Sequence, residues 1–341
     1  MKRLTILLLS LSILLGGCTV APATEEKQYN ATFLSLFDTL TTIVGRGSSR
    51  EAFQEKAQQI HDRLLVYHQL FDIYNEYPDM VNLCTLNKEA AKAPISVDSR
   101  IMELLTECKA LYTATGGKVN VAMGAVLSQW HETRSEGRDD PTVAKLPEQG
   151  ALEEGSIHCN IEDLVLDEAA GTVYFADPLL QLDVGAIAKG WAVQRVAEET
   201  ESGFLISVGG NVCATGPKDA EGTPWVIGIQ DPDGGESYLH TIYVEKGCVV
   251  TSGDYQRAYV VDGKLYHHII DPETLYPSEY WRSVSVVCQD SAVADALSTA
   301  LFLLPLEEGQ TLLATFGAEA LWVDAQGQRY YSPGFQEMIR T

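Results

Sequence analysis

Basic residues are scarce in this chain. It has 24 lysines and arginines against 47 aspartates and glutamates, a formal net charge of −23 at pH 7. Such an acidic protein repels phosphate backbones and anionic headgroups, which argues against nucleic acid as a partner and against purely electrostatic attachment to a membrane. An anionic small molecule would need a local metal ion or a cluster of N–H donors in order to bind.

Cysteine pairs with zinc-like spacing are also absent from the sequence. Six cysteines follow Cys18, none in a CxxC pair, so buried thiols are the favoured interpretation, and the sequence leaves their redox state open. The six are Cys84, Cys108, Cys159, Cys213, Cys248 and Cys288. A chain of this length can bury a sufficient core without disulfides.

The apolar run near the N-terminus, residues 4–15, is too short to span a bilayer comfortably. It follows Lys2 and Arg3 and leads to Leu-Gly-Gly-Cys ending at Cys18, the pattern of a lipoprotein signal peptide with its lipidation site. The protein is therefore expected to be extracytoplasmic and lipid-anchored to the cell membrane. The expected parts are a signal peptide (1–17), a flexible tether (18–31) and a folded domain (32–341).

Hydrophobic periodicity predicts an α+β fold, a single catalytic unit of two packed halves with a strand-rich C-terminal part. Helices are predicted over residues 50–74, 100–113, 185–202 and 292–304. Strands are predicted over residues 32–44, 164–166, 172–175, 204–208, 225–230, 239–244, 248–252, 255–261 and 283–287. The charged segment 132–156, with prolines and glycines, predicts an exposed loop or lid.

Residues 181–192, QLDVGAIAKGWA, are the most informative segment. They place Asp183, two glycines and Lys189 at a predicted strand-to-helix junction. Backbone N–H groups and an ammonium suit a phosphate and its metal ion there. Taken alone, the segment is equally compatible with an ordinary turn before a helix. The Gly209–Gly210 pair likewise permits either close approach to a ligand or a plain tight turn.

Asp295 and Thr299 are four positions apart in a predicted helix, so they share a face and can reach one hard cation. The alternative is a solvated helix face, but apolar neighbours argue for a buried carboxylate, which needs a partner. His267 and His268 are adjacent on a predicted strand and point to opposite faces. That spacing predicts one functional and one structural histidine, or else two structural ones.

These motifs together resemble the FAD:protein FMN transferases, the ApbE-like flavin transferases, from about Phe37 to the C-terminus. The segments that carry the resemblance are residues 182–190, 208–211, 252–257, 266–272 and 295–299. It implies an ApbE-like, T-fold-related architecture. It also implies Mg²⁺-dependent transfer of the FMN moiety of FAD to a threonine or serine hydroxyl of an extracytoplasmic redox protein, with release of AMP.

The resemblance also implies the residues of the site. Mg²⁺ ligands are expected at Asp295, Thr299 and the backbone carbonyl of Ala186, and His268 is expected to help deprotonate the acceptor hydroxyl. Contacts to FAD are expected from Phe37, Tyr74, Val126, Leu127, Ser128, Asp183, Lys189, Gly209, Gly210 and Ile269. The chain departs from the family pattern in having Leu275 where glycine is common, and Phe37-Asp38 where Met-Gly is frequent.

The partners that this implies are FAD, a flavin-acceptor subunit of a membrane-associated electron-transfer complex, and the membrane through the N-terminal lipid; nucleic acid is not among them. Two alternatives remain open. One is a Mg²⁺-dependent FAD pyrophosphatase, in which water replaces the acceptor hydroxyl and the products are FMN and AMP. The other is a non-catalytic flavin-binding lipoprotein, which has less need of a metal beside the pyrophosphate.

Overall fold

The computed structural model describes residues 26–235 and 237–340, and the expected lipidation site Cys18 lies outside these ranges. The helices are α1 (Arg50–Phe71), α2 (Leu83–Glu89), α3 (Ser99–Ala114), α4 (Gly124–Asp139), α5 (Gln149–Ser156), α6 (Ala188–Glu198), α7 (Ser291–Phe302), α8 (Leu306–Phe316) and α9 (Pro333–Met338). Within the described ranges, none of these helices is long and apolar enough to cross a membrane.

The strands form one large sheet and three small ones. They are β1 (Lys27–Leu36), β2 (Thr39–Gly47), β3 (Ile95–Ser96), β4 (Leu164–Asp167), β5 (Thr172–Phe175), β6 (Phe204–Val208), β7 (Asn211–Ala214), β8 (Trp225–Gln230), β9 (Tyr238–Val244), β10 (Gly247–Gly253), β11 (Ala258–Val261), β12 (Lys264–His267), β13 (Ser283–Cys288), β14 (Glu319–Val323) and β15 (Arg329–Tyr331). The large sheet is antiparallel in the order β1-β2-β6-β7-β10-β13-β14-β15. The small sheets are β3-β5-β4, β8-β9 and β11-β12.

Alternating side chains of the large sheet face two different apolar layers, as the period of two in a strand requires. Val250 and Val286 pack with α7 and α8, whereas Val249 and Val287 pack against the β8–β9 ribbon. The core around α1, α3 and α6 extends from Leu36 in the first hairpin as far as α7. The mixed helix and sheet architecture confirms the predicted α+β class.

The first strand begins earlier than the sequence predicted. β1 starts at Lys27, which pairs with Gly47, so residues 27–31 belong to the sheet and not to the flexible tether predicted for 18–31. The alternation of side chains along β1 explains this correction. Tyr29 and Phe33 point to the same face and pack against the apolar core, while the backbone of β1 pairs with β2.

Residues 32–44 also do not form the single strand that was predicted. The chain reverses at Phe37 and Asp38, which have φ angles of 51° and 54°. Two consecutive positive φ values are typical of a two-residue hairpin turn, usually built from Asn-Gly or Gly-Gly. A bulky residue such as Phe37 is strained there, and the turn places its ring at the site described below.

The predicted loop or lid over residues 132–156 is wrong. Most of the segment is helical, since α4 continues to Asp139 and α5 begins at Gln149. Trp130 and Leu152 are buried in a cluster that also contains Tyr259 of β11. Most of the charged residues lie on the outer faces of these helices, and they obscured the apolar stripe by which the helices pack on the core.

The six cysteines that follow Cys18 are free thiols, four of them buried. Cys248 on β10 lies directly opposite Cys213 on one side and Cys288 on the other. A hydrogen bond with the neighbouring Cys213 thiol, and then burial, raise the pKa of Cys248, which keeps its sulfur protonated. The interpretation as buried thiols therefore agrees with the structure for four of the six, whereas Cys159 and Cys288 are half-buried.

Candidate functional site

A cavity of about 620 Å³ lies where the turns of the large sheet meet the first residues of α6. This volume falls within the range of about 300–1,000 Å³ that is usual for small-molecule and cofactor sites. The walls come from the β1–β2 turn, the segment after α1, residues 118–123, α4, the start of α6, the β6–β7 turn, the end of β12 and α7.

Most residues predicted to form the site line this cavity. They are Phe37, Tyr74, Leu127, Asp183, Ala186, Lys189, Gly209, Gly210, His268, Ile269, Asp295 and Thr299. Val126 and Ser128 do not line it. Val126 is fully buried in the cluster around Trp130, and Ser128 is exposed, with its hydroxyl donating to the Ala125 carbonyl at 3.2 Å. Consecutive residues of a helix point in different directions, so of residues 126–128 only Leu127 reaches the cavity.

The starts of α6 and α7 meet at Gly190. Its backbone N–H donates to Oδ2 of Asp295 at 2.8 Å, so a side chain from α7 caps the first turn of α6. A Cβ atom on residue 190 would lie 2.2 Å from the backbone oxygen of Ser291. Only glycine allows this approach, and the helix start is thereby fixed against the carboxylate.

Asp295 is 4% exposed and combines burial with a cationic neighbour. Its Oδ2 lies 3.8 Å from Nζ of Lys189. Burial raises the pKa of this carboxyl, and Lys189 offsets only part of that effect. A buried carboxylate that lines a cavity is therefore incompletely compensated and favours an additional cation.

The donors around Asp295 fit a hard cation that keeps some waters. Thr299, one helical turn further along α7, and Ala186 also line the cavity. Across the described ranges, no group of three or more histidine, cysteine, aspartate or glutamate side chains is placed to hold a metal. Mg²⁺ is commonly held by one or two carboxylates together with water and phosphate oxygens, so this sparse set fits Mg²⁺ better than zinc.

Asp183 and Lys189 shape the loop that precedes α6. Oδ1 of Asp183 accepts the backbone N–H of Gly185 at 2.8 Å, and Lys189 Nζ donates to the Gly185 carbonyl at 3.3 Å. The N-cap residue, Ile187, provides no side-chain hydrogen bond to the helix. The N–H groups of Ile187 and Ala188 donate to the Val184 carbonyl, and that of Gly190 donates to Asp295. The helix dipole and the Lys189 ammonium are therefore the features that favour an anion beside the cavity.

The glycine pair between β6 and β7 forms the tight turn that one of its two interpretations predicted. Gly209 and Gly210 have φ angles of 55° and 94°, so they form a tight turn, and both line the cavity. A Cβ atom on Gly209 would lie 2.6 Å from the side chain of Thr39. The turn thus needs glycine to fit against β2, and it places bare backbone in the wall of the site.

The two adjacent histidines have different surroundings. The ring of His267 lies 2.7 Å (Nε2) from the Ser278 carbonyl and accepts the Ile269 N–H at Nδ1, so it is held by backbone on both sides. His268 lines the cavity, and its Nδ1 is buried with no hydrogen-bond partner in the described part of the chain. Burial and the nearby Arg257 lower the pKa of His268 well below its usual value, which keeps the ring neutral.

Several residues that line the cavity were not identified from the sequence, including His131, Arg134 and the segment 118–121. Asn120 holds that segment in place, because its Nδ2 donates to the Cys159 carbonyl at 2.8 Å and its Oδ1 accepts the Ala122 N–H at 2.9 Å. The sequence signal was the Gly116–Gly117 pair, whose positive φ angles end α3 just before this segment.

Comparisons with known proteins agree on one family. The family model described as the ApbE family matches residues 37–322. The FAD:protein FMN transferase of Treponema pallidum (strain Nichols) is 34% identical over 278 residues, which cover 76% of this chain and 75% of that protein. The corresponding protein of Haemophilus influenzae is 33% identical, covering 62% of each chain.

Solved structures show the same fold. The crystal structure of the ApbE protein from Thermotoga maritima has a TM-score of 0.80 and 28% sequence identity, covering 92% of this chain and 100% of that one. The flavin transferase ApbE from Vibrio cholerae has a TM-score of 0.74 at 22% identity, covering 92% and 99%.

Proposed function

The chain belongs to the ApbE family and is a transferase of the FAD:protein FMN type; we propose that it uses Mg²⁺ to move the FMN moiety of FAD onto a threonine or serine hydroxyl of a protein acceptor, releasing AMP. The observation that carries this proposal is the meeting of α6 and α7 at the cavity. There a buried carboxylate, an ammonium and a helix N-terminus lie together. This combination suits a pyrophosphate with its metal ion.

The reaction forms one phosphorus–oxygen bond and breaks another. The acceptor hydroxyl oxygen bonds to the FMN phosphorus, the bond from that phosphorus to the bridging oxygen breaks, and AMP leaves with the electron pair. His268, neutral and facing the cavity, takes the hydroxyl proton. Lys189 and the start of α6 stabilise the phosphate charge. Mg²⁺ held by Asp295, Thr299 and the Ala186 carbonyl would neutralise charge on the pyrophosphate.

The test uses the detergent-solubilised full chain with FAD, Mg²⁺ and a candidate acceptor domain whose flavin-site threonine is intact or changed to valine. AMP release is measured together with flavin fluorescence of the acceptor in a denaturing gel. Threonine-dependent fluorescence with AMP supports the transferase. AMP without a labelled acceptor, for a series of acceptors, favours the pyrophosphatase. Bound FAD with neither product would contradict catalysis and favour a flavin-binding protein.

Lys189→Ala is expected to raise the KM for FAD about tenfold or more, with a smaller effect on kcat, because one charge-assisted contact to the pyrophosphate is lost. The measurement is the dependence of initial rate on FAD concentration. Lys88→Ala provides a control, since Lys88 is exposed and paired with Glu76 away from the cavity. An unchanged FAD requirement in the Lys189 variant would refute the assigned role.

We further propose that the protein is anchored outside the cytoplasm by a lipid on Cys18, and that its acceptor is a subunit of a membrane-associated electron-transfer complex. The support is the sequence of residues 1–18, which combines a basic start, an apolar run and a lipidation box. Cys18→Ser is expected to abolish incorporation of labelled fatty acid and to release the protein from the membrane fraction. A variant that remains lipidated would exclude this anchor.

A further inference from the structure

Three side chains form a connected unit in the wall of the cavity. The rings of Tyr74 and His131 are stacked, with centroids 5.1 Å apart and an interplanar angle of 29°. Nη2 of Arg134 lies 2.9 Å from Nδ1 of His131, one helical turn away on α4. All three residues line the cavity, and of the three only Tyr74 was predicted from the sequence.

The hydrogen bond to Arg134 determines which nitrogen of His131 carries the proton. A guanidinium has donors only, so Nδ1 of His131 must be the acceptor, and the proton of the neutral ring is on Nε2. Arg134 makes no other side-chain hydrogen bond and no ion pair among the residues that the structure describes. Among those residues, this hydrogen bond is therefore the contact through which the guanidinium orients the ring.

The charges around His131 also favour its neutral form. Burial is the largest cause that lowers its pKa, and Arg134 and Arg257 lower it further. Asp183 and Asp38 act in the opposite direction without reversing the shift. The ring is thus a neutral hydrogen-bond donor at Nε2 over the physiological range of pH.

The position of Tyr74 is fixed although its ring is 56% exposed. Oδ1 of Asp72 accepts the N–H groups of Tyr74 at 2.7 Å and of Asn75 at 3.0 Å, directly after α1. A rigid aromatic surface that faces an open cavity suits a planar ring, because stacking covers apolar surface at little cost in conformational entropy. Nucleotide rings carry oxygen or nitrogen acceptors at their edges, which match a neutral N–H donor.

We propose that Tyr74, His131 and Arg134 form one recognition element for a planar ring of the flavin nucleotide. The ring stacks on Tyr74 beside His131 and accepts, at its edge, an in-plane hydrogen bond from Nε2 of His131, while Arg134 is a positioning residue that fixes the His131 tautomer. The inference rests on the proposed function, since it takes FAD as the ligand. Both the isoalloxazine and the adenine ring have this chemistry, and the experiment separates them.

The experiment measures the binding of FAD, FMN and AMP to the full chain and its variants by isothermal titration calorimetry in Mg²⁺. His131→Phe keeps a flat ring and removes the donor, so FAD binding is expected to weaken about fivefold to tenfold. His131→Ala also removes the ring that packs on Tyr74, so that the stacking surface is less well held, with a further loss of about tenfold expected. If the affinity for FMN falls in parallel with that for FAD, the element holds the isoalloxazine ring. If the affinity for AMP falls in parallel instead, it holds adenine.

Arg134→Met tests the positioning role with a readout that a purely structural role would not change. At about pH 7.5 the variant is expected to bind FAD about twofold to threefold more weakly, because Nδ1 of His131 has lost the donor that keeps the ring proton on Nε2. Nitrogen-15 NMR should show the Nε2–H tautomer of His131 in the wild type and a mixture in the variant. Arg138→Met is the matched control, on the same helix but outside the cavity wall.

Two results would overturn this inference while leaving the proposed function intact. One is wild-type FAD affinity in both His131 variants, and the other is an unchanged His131 tautomer together with an unchanged FAD affinity in Arg134→Met. Failure of the wild-type protein to bind FAD would instead refute the proposed function, and this inference with it. Thermal unfolding of each variant shows whether a loss of binding reflects a loss of folded protein.

Discussion

Asp295→Asn is expected to lower the rate of FMN transfer by about three orders of magnitude or more. The reason is that the charge that would hold Mg²⁺ beside the pyrophosphate is lost, and charge stabilisation by a metal ion contributes several kcal/mol, with about 1.4 kcal/mol for each tenfold change. The measurement is the labelling rate at saturating FAD and Mg²⁺. FAD binding is expected to weaken less, because Lys189, the helix start and the aromatic wall remain.

The same variant is expected to be at least as stable as the wild type without added metal. Burial raises the pKa of Asp295, which means that folding disfavours its charge, and the asparagine oxygen still accepts the Gly190 N–H. Mg²⁺ should therefore raise the Tm of the wild type and not that of the variant. Equal Mg²⁺-induced shifts, or wild-type turnover in Asp295→Asn, would contradict the metal site.

Thr299 offers a matched pair of controls for this prediction. Thr299→Ser keeps the hydroxyl and should retain most of the activity, whereas Thr299→Val keeps the shape and removes the oxygen. A lower apparent affinity for Mg²⁺ in the valine variant alone is the expected result. Equal behaviour of the two variants would remove Thr299 from the proposed ligand set.

The core of the fold was accessible from the sequence where one periodicity dominates. The helix α7 was predicted to within two residues, because its apolar residues surround Asp295 and Thr299 without interruption. By contrast, the turn at Phe37 and Asp38 lacks the glycine or asparagine that usually indicates a hairpin, so the predicted strand ran through it. Tertiary pairing with β2 overrides the local preference at these two residues.

Leu275 shows the same effect beside the site. It occupies the position where the family commonly has glycine, and it has a φ angle of 64°. The backbone there is left-handed, a conformation that the leucine side chain disfavours. The peptide carbonyl of Leu275 accepts Nε1 of Trp130 at 2.9 Å, and its N–H donates to the Asp271 carbonyl at 2.8 Å. These contacts hold the turn in a conformation that the sequence alone did not indicate.

Residues of the site were predictable when they belonged to a motif with its own chemical signal. Asp183, Lys189 and Asp295 had such signals, and the structure brings them together. His131 and Arg134 had none, because a histidine and an arginine three apart on a charged helix look like a solvated face. Their role depends on Tyr74, which lies more than fifty positions earlier in the sequence, and that proximity is visible only in the folded chain.

His268→Asn is expected to lower FMN transfer by about two to four orders of magnitude, the usual contribution of a general base, while FAD still binds. The neighbouring His267 provides the contrast. His267→Asn removes backbone contacts to Ser278 and Ile269, so it should lower the Tm and leave the transfer rate of the folded protein within about a few-fold of the wild type. If His268→Asn lowered the Tm but left the transfer rate unchanged, His268 would be the structural histidine and would not be the general base.

The pH dependence provides an independent check on His268. Burial, and then Arg257 and Arg134, lower its pKa below the ordinary value of 6.5, so the free enzyme keeps the ring neutral and able to accept a proton at pH 7. The acid limb of kcat/KM should therefore lie below pH 6.5. Bound pyrophosphate brings negative charge close to these arginines and favours protonation of the ring, which moves the acid limb of kcat to higher pH. Arg257→Met should also shift the acid limb of kcat/KM to higher pH, because one positive charge near His268 is removed. If the acid limb stayed in place both in that variant and in His268→Asn, the titrating base would be another residue.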